Sequence, residues 1–153
     1  MLLCEQFKVI GCGYTADYNN GYTAESINTE GLHNIMYILS FGAVTGDAVL
    51  TVKSGASDGT QTTAETFYYR YGSAAQGSAT ADVYSANATS AALTLTEATY
   101  GTRCAIVEID CSALTAGQPW VTLALSNAAG AGILHVVAVC TPRYPGNAIP
   151  TAI

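Results

Sequence analysis

The sequence holds two histidines, His33 and His135, and five cysteines, Cys4, Cys12, Cys104, Cys111 and Cys140. A nucleophilic site needs a nucleophile, a base and an orienting acid brought together. Neither histidine lies in a local signature such as Gly-x-Ser-x-Gly. His33 precedes an apolar run and His135 lies inside one, so a structural role is expected for each. Cys104 and Cys111 stand seven residues apart, which is not a metal-knuckle spacing. Odd and even positions put them on opposite faces of one strand, as small core residues. Gly11-Cys12-Gly13 lacks the Gly-Lys-Ser/Thr end of a phosphate loop and no helix follows it, so it reads as a turn. Glu108 and Asp110 share a strand face and could imitate a carboxylate pair, but a solvated strand edge is the commoner origin of such a pattern. The expectation is a chain without a catalytic, metal or cofactor site.

Composition narrows the classes further. Half of the 153 residues are hydrophobic and only 10% are charged, against about 25% in an ordinary globular domain. Disorder requires the opposite balance, and no apolar run reaches the ~18 residues of a membrane span. The net charge is −6 and the five basic residues, Lys8, Lys53, Arg70, Arg103 and Arg143, are scattered. Nucleic-acid binding requires clustered cations, so no nucleic-acid partner is expected. What remains is a folded domain with a neutral surface rich in Ala, Thr, Ser and Gly, which is cheap to desolvate against a partner.

The elements that would position these residues are strands. Ile35, Tyr37, Leu39 and Phe41 alternate onto one face, with Met36 and Ile38 on the other, so this strand is expected to be buried on both sides. Residues 48–53 follow after a turn at Gly46-Asp47. Residues 54–63 read as an exposed loop around Asp58-Gly59. In 66–71, Phe67, Tyr69 and Tyr71 share one face while Tyr68 and Arg70 share the other. Residues 82–85 and 92–96 are short candidates. Across 103–111, Ala105, Val107, Ile109 and Cys111 should point inward. Residues 120–125 and 133–140 read as a hairpin, and 5–10 and 22–27 as weaker strands. The sum is about eight to ten strands without a substantial helix, which predicts an all-β, jelly-roll-like antiparallel β-sandwich. Residues 32–141 form the sandwich, 1–31 an N-terminal arm or irregular edge segment, and 142–153 an extended tail bearing Pro142, Pro145 and Pro150.

Ten tyrosines against three phenylalanines suit interfaces, because Tyr joins apolar area to a hydrogen-bonding tip. The expected contact residues are Tyr14, Tyr18 and Tyr22 on the N-terminal arm, Tyr68 and Arg70 on the aromatic strand, and Arg143, Tyr144, Ile149 and Ile153 on the tail.

The order of these stretches resembles the small β-sandwich structural proteins of tailed-bacteriophage virions, above all capsid decoration (cement) proteins. The resemblance runs over residues 35–145. It is carried by residues 37–53, by Phe67-Tyr68-Tyr69-Arg70-Tyr71, and by Ile106-Val107-Glu108-Ile109-Asp110-Cys111-Ser112-Ala113-Leu114. Then come Pro119-Trp120-Val121-Thr122-Leu123 and Val136-Val137-Ala138-Val139-Cys140, followed by Thr141-Pro142-Arg143-Tyr144-Pro145. It implies a non-enzymatic protein on the virion capsid surface, bound to the major capsid protein and to copies of itself as a dimer or trimer. A neck, tail or fibre-base role is the alternative within virions. A carbohydrate-binding module, with Trp120 and nearby tyrosines, is the alternative outside that class. No cofactor, membrane or nucleic acid is implied.

An odd cysteine count without an export signal predicts reduced thiols and synthesis in the bacterial host cytoplasm. The start Met1-Leu2-Leu3-Cys4 lacks the basic and apolar regions of a lipoprotein signal. Stability measured by chemical denaturation should therefore be the same with and without reductant; a large loss on reduction would reveal a structural disulfide.

Overall fold

The computed structural model describes residues 6–15, 17–126 and 132–144. Its strands are β1 (Lys8–Thr15), β2 (Tyr22–Thr23), β3 (Ile27–Asn28), β4 (Leu32–Val44), β5 (Ala48–Gly55), β6 (Thr63–Glu65), β7 (Phe67–Tyr71), β8 (Ala88–Ser90), β9 (Leu93–Leu95), β10 (Cys104–Asp110), β11 (Trp120–Leu125) and β12 (Gly132–Pro142). The short helix α1 spans Glu97–Tyr100 and a 3-10 turn spans Cys111–Ala113.

Two antiparallel sheets result. The first has the order β1-β12-β4-β10-β7-β8; the second has β2-β11-β5-β6, with β3 also on β11 and β9 also on β5. The first long strand lies beside the last, and the chain crosses repeatedly between sheets. This is the jelly-roll arrangement, extended beyond β10 by β7 and β8, and the chain is an all-β sandwich as its alternation predicts.

Period-two side chains explain the core. From β4, Ile35, Tyr37, Leu39 and Phe41 point inward; from β10, Ala105, Val107 and Ile109; from β12, Leu134, Val136, Ala138 and Cys140. Leu50, Val52, Val121, Leu123 and Leu125 meet them from the second sheet, and all belong to one buried cluster. Phe41 and Tyr100 pack edge to face at 6.1 Å, and Tyr71 stands 5.3 Å from Tyr100.

Five expectations change. Residues 120–125 and 133–140 do not form a hairpin: β11 pairs with β5, β2 and β3, whereas β12 pairs with β1 and β4 in the other sheet. The two strands therefore lie in opposite sheets. Met36 and Ile38 are only part-buried, so β4 is covered on one side and not on both. Residues 82–85 supply only a bridge, Gly72 to Tyr84. Ser54 and Gly55 are buried at the end of β5 rather than in an exposed loop. Finally, the segment expected as an N-terminal arm or irregular edge segment contributes strands to both sheets. β1 is an edge strand, and Tyr18 and Ile27 are fully buried.

Two local devices hold these departures in place. At Gly13, with φ of 125°, β1 bulges against β12. The missing side chain there admits the Tyr22 hydroxyl, which donates to the Cys12 carbonyl at 2.9 Å. A side chain at φ in this range would be strained as well as obstructive. At the end of β5, Ser54 Oγ lies 2.5 Å from Glu65 Oε1 and 2.8 Å from the Gln118 carboxamide. A hydroxyl has one proton, so Ser54 donates to one of these two acceptors at a time, the Glu65 carboxylate or Gln118 Oε1. The same Glu65 oxygen accepts from the Thr115 amide at 3.1 Å. One buried carboxylate thus ties β5, β6 and the corner before β11 together.

Beside that knot, a Cβ at Gly55 would run into the Thr60 backbone, while a Cβ at Gly11 meets open space. Gly55→Ala should cost about 1–3 kcal/mol, as overpacking does, and Gly11→Ala should be near neutral. Denaturant titration of both variants checks this; equal stabilities would refute the packing assigned to the 55–60 turn.

Candidate functional site

Strand register lays out the outer face of the first sheet as rows. Val9, Val139, Met36, Glu108 and Tyr68 are successive cross-strand partners, and so are Gly11, Val137, Ile38, Ile106 and Arg70 in the next row. Tyr14, His135, Ser40 and Cys104 flank them on one side; Thr141, Asn34 and Asp110 flank them on the other. The two central rows are aliphatic except at one end, where Glu108, Tyr68 and Arg70 gather. Val9 is 61% exposed and Tyr68 50%, and Met36, Ile38, Ile106, Val137 and Val139 are part-buried. A cleft of about 250 Å³ opens at the polar end, among Met36, Tyr68, Arg70, Asn87, Ile106 and Glu108.

The outer face of the second sheet differs. It presents Val49, Thr51, Lys53, Trp120 and Ala124, and the 22–28 segment pairs with β11 at its edge. There the Ala24 amide donates to the Leu123 carbonyl and Thr122 Oγ1 donates to Ser26 Oγ at 3.0 Å. Of the two faces, the first is the broad apolar one, and surfaces of that kind mark interaction sites.

Electrostatics at the polar end are balanced. Asn34 Nδ2 donates to Glu108 Oε1 at 2.8 Å, and Arg70 Nε donates to Asn87 Oδ1 at 3.3 Å. Asp110 does not pair with Glu108. It caps the 3-10 turn, accepting from the Ser112 amide at 2.8 Å and the Ser112 hydroxyl at 2.7 Å. These bonds hold its carboxyl below the usual range, with smaller help from His33 and Arg143.

The expected contact residues are divided by the fold. Tyr68 and Arg70 sit together at the polar end, and Tyr14, 63% exposed, lies at the far corner of the same face with its ring 6.3 Å from His135. Tyr18 is fully buried and Tyr22 is half-buried, so both serve the chain's own core. Arg143 fastens the start of the tail: its amide donates to the Gly31 carbonyl and its Nε to the Leu32 carbonyl, each at 2.8 Å. It borders a separate end pocket with Thr29, Cys111 and Gln118. Tyr144 is 68% exposed. Ile149 and Ile153 lie outside the described residues. Sequence reasoning missed Val9, Met36, Ile38, Ile106, Val137 and Val139. The signal was present: a strand apolar on both faces, in a fold whose sheets have only one inner face.

Ser54 is bound to Glu65 and Gln118 in the second sheet, whereas His33 and His135 lie on β4 and β12 of the first. Among the described residues no group of three or more His, Cys, Asp or Glu side chains could hold a metal ion. No helix among them is long and apolar enough to cross a membrane.

Cys12, Cys104, Cys111 and Cys140 are free thiols. Burial pushes Cys12 up to about 11 and Cys111 and Cys140 up to about 12. At pH 7 roughly one in ten thousand or fewer of these three is thiolate. Cys12, Cys111 and Cys140 should therefore resist an alkylating reagent in the native protein and label in denaturant, as peptide mass spectrometry would show. Rapid native labelling would contradict their place in the core. Comparison with protein-family models, curated proteins and solved structures finds no match to this chain.

Proposed function

We propose that the chain is a bacteriophage capsid decoration (cement) protein, which binds the assembled shell of the major capsid protein and stabilises it without catalysis. The observation that carries the assembly half of this reading is the broad, charge-poor apolar face of the first sheet. Burying aliphatic side chains there gains about 25 cal/mol per Å² removed from water, with two central charges to desolvate. The capsid half rests on the resemblance over residues 35–145. A protein that binds only the assembled shell stabilises it by mass action, and many copies add their contributions. In this reading the protein is made in the host cytoplasm and resides on the capsid surface. It needs no nucleic acid or membrane, and it contacts copies of itself as well as the shell.

Neck, tail or fibre-base placement is the nearest competitor and is separated by copy number, since a cement protein is abundant and a connector is scarce. The cleft at Tyr68, Arg70, Asn87 and Glu108 combines an aromatic ring with polar groups, the mixture a sugar site also uses. Trp120, by contrast, lies on β11 of the other sheet between Asn28 and Gly55.

The decisive experiment adds purified protein to shells that lack it. Saturable binding at many copies per shell, with a rise in the shell's melting temperature, is expected. Deleting residues 146–153 tests the tail without touching a described element, whereas deleting 1–20 removes β1 and so reports on folding. No shell binding, together with hits in a glycan screen, would replace this reading with the carbohydrate one.

A further inference from the structure

We infer that the apolar face of the first sheet is a two-fold interface, covered by the same face of a second copy of this chain. The inference builds on reading that face as an assembly surface and does not depend on the capsid.

Its basis is the self-complementarity of the two central rows. Consider a two-fold axis lying in the interface, across the strands and between the rows. Each strand then faces its own counterpart running the opposite way, and one row falls on the other. Met36 falls on Ile38 of the second copy, and Val139 on Val137. Val9 falls on Gly11, where the absent side chain leaves room for it. Apolar positions therefore meet apolar positions along β1, β12 and β4.

At the polar end the same operation brings Tyr68 over Arg70 of the other copy and Glu108 over Ile106, beside that Arg70. The Tyr68 ring enters the cleft of the second copy and stacks on a guanidinium, while Glu108 gains a cationic partner. Both contacts occur twice by symmetry. No like charges are opposed. Asn34, Ser40 and His135 fall outside the central rows, where a polar rim belongs. An unrelated partner would need to supply an anion for Arg70, a cation for Glu108 and an apolar stripe of the same length between them. A second copy supplies all three by construction.

The full chain should sediment as a dimer, with twice the mass of one chain, and dissociate on dilution. Met36→Glu should be monomeric at concentrations where the parent is dimeric, with unchanged circular dichroism and a melting temperature lowered toward that of the dilute, dissociated parent, because Met36 points away from the core. Arg70→Glu and Glu108→Arg should each weaken association by about two orders of magnitude, the scale expected for a buried charge left without its partner. Mixing these two variants should restore a heterodimer, since each carries the charge the other lacks; pairing within one chain cannot produce that result. A parent that stays monomeric, a trimer, a dimer untouched by Met36→Glu, or no heterodimer on mixing would overturn the inference. A monomer whose face is protected from hydrogen exchange only on shells would assign the face to the shell protein, so the inference would fall while the cement reading stood. A dimer that ignores shells would have the reverse effect.

Discussion

An inner strand of a two-layer sandwich has two faces, and only one of them can reach the core. In β4 that face is filled by Ile35, Tyr37, Leu39 and Phe41, and nothing in the alternation permits Met36 and Ile38 to join them. A shift of one residue would exchange the two sets, which is a choice between two apolar faces. Packing decides it. Tyr37 and Phe41 bring the larger apolar area to bury, and β12 and β10 clamp β4 along both edges in one register. The inner set makes the fold, and the outer set is left as a surface.

That surface is an aggregation hazard, and the edges of the same sheet limit it. At one end β8 has only three residues. At the other, β1 is bulged at Gly13, and its Cys12 carbonyl is already engaged by the Tyr22 hydroxyl and the Glu25 amide. Short and occupied edges discourage open-ended strand addition. The exposed apolar area is thereby directed toward face-to-face contact, which is the mode that sheets use when they stack about 10 Å apart.

The inner faces of β4, β7 and β10 were legible in the sequence because period-two alternation reports orientation directly. Tyr68 and Arg70 were found for the same reason. Neighbours were not legible. Consecutive strands with a short connection read as a hairpin, yet β11 and β12 lie in opposite sheets, and nothing local distinguishes a turn from a crossing. Ser54 was hidden because its partners, Glu65 and Gln118, are 11 and 64 residues away. Tyr18 looked like an arm residue among glycines; what buries it is close approach to Gly132, where a Cβ would stand 2.5 Å from its ring. Each miss concerns contacts between residues distant in sequence, and composition cannot carry that information.

The tyrosine surplus also deserves a different physical reading from the one composition invites. Tyr18, Tyr37 and Tyr100 are core residues, and Tyr22, Tyr69 and Tyr71 pack against the core. Tyr14, Tyr68 and Tyr144 are the exposed ones. Most of the surplus therefore fills volume. The interaction signal lies in the aliphatic rows and in the scarcity of charge beside them. Covering those rows costs little desolvation until the cover reaches Arg70 and Glu108. There the balance reverses, because a buried charge without a partner is far more costly than an exposed one. The apolar rows set how strongly any cover can hold, while Arg70 and Glu108 decide which covers are admissible. A change at Arg70 or Glu108 therefore alters selectivity and strength together, whereas a change within the apolar rows alters strength alone.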